Sequence, residues 1–343
     1  MGCRQPHTPA VSGGGARGSA DSAQSARLSY TTRFYTCKCL HRTYHVAAMF
    51  TGTYTALVTP FTRDGAVDEN RLRALVETQI RGGVDGFVPS GTTGESPTLS
   101  HEEHSRVIEL VVKFVAGRCK VIAGTGSNST DEAISLTQHA KKVGADASLQ
   151  VAPYYNKPTQ AGLYAHFRAI AEQGGLPVII YNIPGRTGVD VSNETMAKLH
   201  RDLPDKVIGV KESTGNVDRA SQLRQLLGRD FCILSGDDSL TLPMMSVGAQ
   251  GVISVASNVM PREVTDLTHV ALKGDFVRAG QIHTKVFPLF KDLFIETNPI
   301  PVKAALAMMG QIEEIYRLPL VPMAENNRLQ LKGTLQKLGL VKT

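Results

Sequence analysis

Val207-Ile208-Gly209-Val210-Lys211-Glu212-Ser213 is a short apolar run that ends in charge. Its branched residues do not alternate with polar ones. That pattern belongs to a strand covered on both faces, as in a parallel sheet flanked by helices. Just upstream, Pro177–Asn182 has the same form. Working outward, six more such runs appear, at Thr53–Thr59, Gly86–Pro89, Lys120–Gly124, Ala147–Ala152, Phe231–Ser235 and Gly251–Ala256. With Val207–Lys211 they make eight.

The stretches between the runs read as helices. Leu72, Leu75, Val76 and Ile80 recur at helical spacing, as do Val107, Leu110, Val111 and Phe114. Ser100 with Glu103, and Ser129 with Glu132, are expected to form capping boxes. Eight strand-helix units predict a closed (β/α)8 TIM barrel, with a doubly wound open sheet as the structural alternative. Beyond Val259 no further run of this kind occurs. Pro261–Leu272, Phe276–Phe294, Pro301–Met309 and Pro322–Leu338 read as helices of a C-terminal helical annex. The expected organisation is therefore an N-terminal extension over residues 1–48, a barrel over 49–258 and a helical region over 259–343.

Residues 1–48 are rich in Ser, Gly, Thr and Arg, and set six basic side chains against the single Asp21. They carry nearly all of the chain's net charge of +6. Two readings stand: an organelle transit peptide, or a start placed upstream of the true one at Met49. The compartment is accordingly expected to be the cytoplasm, or a plastid if the extension is a transit peptide. Myristoylation fits poorly because Pro6 stands where Ser or Thr is wanted. The remaining chain is close to neutral, with no basic stripe for nucleic acid. No run of apolar residues is long enough to span a membrane. Cys119 and Cys232 lie in or beside apolar runs and are expected to be reduced thiols. Cys37 and Cys39 lack a second pair of metal ligands.

In barrels of this kind chemistry sits at the C-terminal strand ends. Lys211 is the one charge inside the sixth run. A lysine inside a barrel loses solvation, which favours the neutral amine, and the neutral amine is the nucleophile that forms Schiff bases. The ordinary alternative is a strand-end lysine that snorkels to water. The fifth run ends Tyr181-Asn182-Ile183-Pro184-Gly185-Arg186-Thr187-Gly188. Tyr181 is placed to shuttle protons, and Arg186 offers a fork to a carboxylate. The second run leads into Ser90-Gly91-Thr92-Thr93-Gly94-Glu95-Ser96, where backbone N–H groups and two hydroxyls suit a small anion. The fourth leads into Pro153-Tyr154-Tyr155-Asn156-Lys157-Pro158, two tyrosines in a Pro-bracketed loop.

Three other patterns are incomplete. Gly124-Thr125-Gly126 lacks the third glycine of a dinucleotide fingerprint, and His101-Glu102-Glu103-His104 is one residue short of a zinc-protease motif. Asp237-Asp238 has no evident third ligand, and Asp238 reads as an N-cap.

Taken together, Gly91-Thr92-Thr93-Gly94-Glu95, Tyr154-Tyr155-Asn156-Lys157-Pro158, the loop Tyr181–Gly188 and Val210-Lys211-Glu212 stand in order at the expected strand ends. On these motifs, and from about Met49 to Leu340, the chain resembles the 4-hydroxy-tetrahydrodipicolinate synthase (dihydrodipicolinate synthase) family of the pyruvate-dependent Schiff-base aldolases. The resemblance implies a lyase that condenses pyruvate with L-aspartate 4-semialdehyde on the way to lysine and diaminopimelate, without a metal or organic cofactor. It implies that Lys211 forms the imine and that Tyr181, Thr93 and Tyr155 relay protons, with Tyr155 supplied by a neighbouring subunit. It places Thr92 and Thr93 on the pyruvate carboxylate, Gly236 and Ile253 along the pyruvate pocket, and Arg186 on the semialdehyde. A homotetramer built from tight dimers is expected. Ser96, His101, His104, Asn128, Glu132 and Tyr154 match the family's site for inhibition by L-lysine, with Pro97 departing from the small residue often found there. Arg186 and the Tyr154–Pro158 loop separate the chain from sialic-acid lyases and sugar-acid aldolases. A non-catalytic keto-acid-binding barrel is the reading from a different class.

Overall fold

In this computed structural model, which describes residues 50–342, the eight apolar runs are eight parallel strands. They are β1 (Gly52–Ala56), β2 (Gly86–Val88), β3 (Lys120–Gly124), β4 (Ala147–Val151), β5 (Val178–Asn182), β6 (Val207–Glu212), β7 (Cys232–Ser235) and β8 (Gly251–Ser254). Each pairs with its sequence neighbours, and β8 pairs with β1 to close the barrel. Closure brings two backbones together at Gly52 and Gly251. A Cβ on Gly251 would lie 2.0 Å from the carbonyl oxygen of Gly52, so only glycine fits.

The contiguous branched residues now have a cause. On β5, Ile179 and Tyr181 join the hydrophobic cluster that includes the barrel interior, while Val178 and Ile180 join a second cluster under the helices. On β7, Cys232 and Leu234 divide from Ile233 in the same way. Side chains alternate faces, but both faces are dry, so the sequence shows no alternation. Cys232 is buried and Cys119 half-buried, and neither is in a disulfide.

The helices are α1 (Glu69–Gly82), α2 (His101–Val115), α3 (Thr130–Val143), α4 (Gln160–Gln173), α5 (Pro184–Thr187), α6 (Asn193–Asp202), α7 (Asp218–Leu227), α8 (Thr241–Ser246), α9 (Pro261–Leu272), α10 (Phe276–Asp292), α11 (Ile300–Met308) and α12 (Glu325–Lys337). Leu72, Leu75 and Val76 form the buried stripe of α1, and Val107, Leu110, Val111 and Phe114 that of α2. The box at Ser100 closes in both directions: Ser100 Oγ accepts from the Glu103 N–H (3.2 Å) and Glu103 accepts from the Ser100 N–H (2.9 Å).

Two expectations need correction. At α3, Ser129 caps the Glu132 N–H, but the Glu132 carboxylate turns away to the Ser127 hydroxyl and to His101, so no reciprocal box forms. Asp237, not Asp238, caps the short helical turn that follows β7, accepting from the Ser239 N–H at 2.8 Å. Asp238 is buried instead, accepting from the Ser254 hydroxyl and from the N–H groups of Val255 (3.0 Å) and Ala256 (2.9 Å), and so braces the end of β8. Helix α9 packs against β1 and α1. That packing joins residues far apart in the sequence and leaves no local mark. The readings of residues 1–48 as transit peptide or misplaced start lie outside the described residues. No helix of the described residues is long and apolar enough to cross a membrane.

Candidate active site

Parallel pairing sets Tyr181 of β5 opposite Lys211 of β6, and Asn182 opposite Glu212. Successive side chains on a strand face opposite ways, so each pair shares a face. The pair Asn182 and Glu212 faces the helices: Glu212 accepts from Asn182 Nδ2 (3.3 Å), Arg219 Nε (3.2 Å) and the Thr214 N–H (2.7 Å). Tyr181 and Lys211 belong to the opposite face, each 6% exposed, with the lysine Nζ 4.0 Å from the centre of the tyrosine ring. No carboxylate of the described residues forms an ion pair with Lys211. Glu212, its chain neighbour, is held on the other face by Arg219. The amine thus lies buried against an aromatic face, without a carboxylate partner among the described residues.

Gly236, just past β7, lies flush against this lysine. A Cβ there would come within 3.0 Å of Lys211 Cε and 1.8 Å of Ser213 Oγ. Ile253 of β8 is buried in the interior cluster.

The turn after β2 is tightly wound. The N–H groups of Gly94, Glu95 and Ser96 return to the carbonyls of Gly91 (3.0 Å), Thr92 (3.1 Å) and Gly91 (3.3 Å). Those of Thr92 and Thr93 find no acceptor among the described residues, which leaves two adjacent donors for an anion. Thr93 is buried, and its Oγ1 accepts a hydrogen bond from Asn298 Nδ2 at 3.0 Å. No hydrogen bond joins Thr93 to Tyr181 or to Tyr155 among the described residues. Tyr155 instead projects outward, 91% exposed, from a backbone with φ of 71°.

Arg186 comes from the one-turn helix α5 and is exposed at the mouth, where its Nη2 donates to the Asn298 carbonyl at 3.1 Å. It lines a cavity of about 360 Å³ together with Thr92, Ile183 and Thr187. The same cavity is walled by Ser96, His101, His104, Glu132 and Tyr154. Asn128 is not in its wall, but its Nδ2 holds the Tyr154 carbonyl (3.2 Å) while its own carbonyl accepts from Asn156 (2.9 Å), tying the tyrosine loop down. The His101 ring pairs with Glu132 at 3.1 Å. His104 is buried with its Nε2 2.7 Å from the Gly124 carbonyl, and burial pushes its basicity below that of an ordinary histidine. The two histidines of the incomplete zinc motif are thus engaged by different partners. Gly124 and Gly126 are small for packing reasons: a Cβ on either would meet backbone at 2.6 Å and 2.3 Å.

Sequence reasoning missed two residues of this region, Asn298 and Lys303. The fully buried Lys303 forms an ion pair with the fully buried Glu95, which ends the anion-binding turn in a left-handed conformation (φ 55°). The Lys303 ammonium also lies 4.2 Å from the centre of the Phe61 ring. Lys303 left a sequence signal, a lysine inside the apolar run Pro301–Leu306 of a helix. Asn298 left only its place before Pro299.

Residues 49–338 match the Dihydrodipicolinate synthetase family. A 4-hydroxy-tetrahydrodipicolinate synthase from Sulfurihydrogenibium sp. is 56% identical over 295 residues, covering 86% of this chain and all of the relative. The crystal structure of dihydrodipicolinate synthase from Aquifex aeolicus superposes with a TM-score of 0.84 at 55% identity, covering 86% of this chain and all of that one. The structure of the Cyanidioschyzon merolae enzyme with lysine bound superposes with a TM-score of 0.82 at 42% identity, covering 85% of this chain and 99% of that one.

Proposed function

Because the chain belongs to the dihydrodipicolinate synthetase family, we propose that its barrel condenses pyruvate with L-aspartate 4-semialdehyde through an imine on Lys211, giving 4-hydroxy-tetrahydrodipicolinate for lysine and diaminopimelate biosynthesis. The observation that carries this reading is the buried Lys211 amine against the Tyr181 ring, beside Gly236 and without a carboxylate partner among the described residues, in a barrel whose β2 turn leaves the N–H groups of Thr92 and Thr93 open.

Pyruvate enters with its carboxylate on those N–H groups, which sets its ketone carbon toward Lys211. The neutral amine adds to that carbon, and the carbinolamine loses water to give the imine. The cationic imine withdraws electrons from the methyl carbon. The methyl carbon gives up a proton to the Tyr181 relay, the resulting enamine attacks the aldehyde of the second substrate, and the amino group of that substrate then adds to the imine carbon, closing the ring and releasing the Lys211 amine. Tyr181 carries protons to and from the carbinolamine oxygen, with Thr93 as its link toward Tyr155. Arg186 holds the semialdehyde carboxylate at the mouth.

Tyr155 is exposed in its own chain, as a side chain donated to a neighbouring subunit would be. We accordingly infer that the site is completed in a tight dimer, and that two such dimers form a tetramer. A cytoplasmic location goes with this reading, on the strength of the bacterial relatives.

The reading is tested by mixing the protein with pyruvate and borohydride and weighing it, then by following turnover with aspartate semialdehyde. A mass increase of one reduced pyruvate on Lys211 and turnover with the semialdehyde are expected. An unmodified protein sinks the reading.

Arg186→Ala is expected to raise KM for the semialdehyde about 10- to 100-fold, the worth of a charge-assisted hydrogen bond. Pyruvate trapping on Lys211 should be unaffected. An unchanged KM would remove Arg186 from the acceptor site.

The cavity walled by Ser96, His101, His104, Glu132 and Tyr154 offers the half-buried Glu132 carboxylate and the Tyr154 phenol to an amino-acid ligand. We place the inhibitory L-lysine there, in line with the lysine-bound relative. Millimolar L-lysine should inhibit, and Glu132→Ala should relieve the inhibition. Activity indifferent to lysine at that concentration rejects the assignment.

A further inference from the structure

The chain segment that opens α11 touches the candidate site at three points. Asn298 Nδ2 donates to Thr93 Oγ1 at 3.0 Å, the Asn298 carbonyl accepts from Arg186 Nη2 at 3.1 Å, and five residues on Lys303 pairs with Glu95. Asn298 is 5% exposed, so its amide is shielded from competing water.

The first of these contacts bears on proton direction. A threonine hydroxyl has one proton and two lone pairs. When an amide N–H occupies a lone pair, the proton remains free for a different acceptor. With Asn298 as donor, the Thr93 proton is left for an acceptor other than Asn298. The second contact fixes one edge of the Arg186 guanidinium and leaves its other nitrogens for a ligand. One residue thereby adjusts both the group assigned to proton transfer and the group assigned to the acceptor carboxylate.

We propose that Asn298 is a positioning residue that orients the Thr93 hydroxyl as a proton donor into the site and registers it against Arg186. This inference rests on the reading of Thr93 as a relay member. Asn298 touches no reacting atom and acts through Thr93.

The test is a double-mutant cycle on the full-length protein, with pyruvate trapping on Lys211 measured alongside. Asn298→Ala should lower kcat by about 10- to 100-fold, within the range of general acid-base contributions, while KM for pyruvate changes little. Asn298→Asp keeps the side-chain shape but can only accept when ionised, so it draws the Thr93 proton away from the site. It should lower kcat at least as much as the alanine variant at neutral pH. In a Thr93→Val background, Asn298→Ala should have almost no further effect on kcat, because the group it orients is gone. Multiplicative losses in the cycle overturn the proposal, since Asn298 then acts elsewhere. Wild-type kcat in Asn298→Asp overturns the assigned proton direction. If the wild-type protein itself fails to trap pyruvate, it is the parent reading that falls. If it traps pyruvate and turns over but the cycle is multiplicative, only the role of Asn298 falls.

Discussion

Replacing Lys211 with methionine lowers kcat by on the order of 10⁴-fold or more, as expected when a covalent nucleophile is removed, and leaves no pyruvate adduct after borohydride. Methionine keeps the apolar stem that packs beside Gly236 and Tyr181, so the variant should fold and melt like the parent. The loss is therefore chemical. No other side chain can take over the step. Lys303, the other buried amine near the site, faces the fully buried carboxylate of Glu95. Burial pushes its ammonium below the ordinary basicity while Glu95 opposes that shift, and its proton serves the ion pair. An amine held as a buried ammonium is not a nucleophile. Residual turnover near the parent rate in Lys211→Met, or a pyruvate adduct mapped to another lysine, would defeat the assignment.

The largest expected effect on stability falls on Lys303. Substitution by methionine leaves the Glu95 carboxylate buried without its cation. Breaking a buried pair in this way costs about 3–5 kcal/mol, which for a domain of this size lowers the apparent Tm by roughly 6–20 °C. Lys303 and Glu95 are both without solvent exposure. The neighbouring Arg317 does not replace the lysine, because its guanidinium forms a two-point pair with Glu103 at 2.6 Å and donates to the Gly65 carbonyl. That pair holds the Glu103 carboxyl at about 2, well under its usual range. Glu95→Gln combined with Lys303→Met should restore much of the lost stability, since a neutral amide still accepts from the Arg317 N–H, 3.3 Å from the Glu95 oxygen. Thermal unfolding by circular dichroism checks both variants. A Lys303→Met protein that melts within about 2 °C of the parent would show the pair to be energetically idle. The single variant should also lose activity, because Glu95 ends the turn whose open N–H groups we assign to the pyruvate carboxylate, and it holds a left-handed conformation that costs a non-glycine residue about 1–3 kcal/mol.

The barrel was legible because its signal is local and repeated. Eight dry strands must each be contiguous and apolar, and each must end where the chain turns into a helix. Lys211 stood out for the same reason, as one charge in such a run. Tyr181 and Arg186 were legible from their places at one strand end. Capping was legible at Ser100, where all partners lie within four residues, and misled at Ser129, where Glu132 is drawn to the nearby Ser127 hydroxyl and to His101 on another helix. Asp238 misled likewise: its three donors belong to the end of β8, sixteen to eighteen residues away.

The sequence by itself determined which residues are strands, which amine is buried among them, and which family's motifs the strand ends carry. Each of these follows from short-range pattern, since burial of both strand faces dictates residue type position by position. Tertiary structure alone decided that α9 packs against β1 and α1, that Glu95 pairs with Lys303, and that Asn298 binds both Thr93 and Arg186. These partners lie more than one hundred residues apart along the chain. A buried carboxylate or hydroxyl takes whichever donor packing delivers, and packing is not written in the spacing of its neighbours.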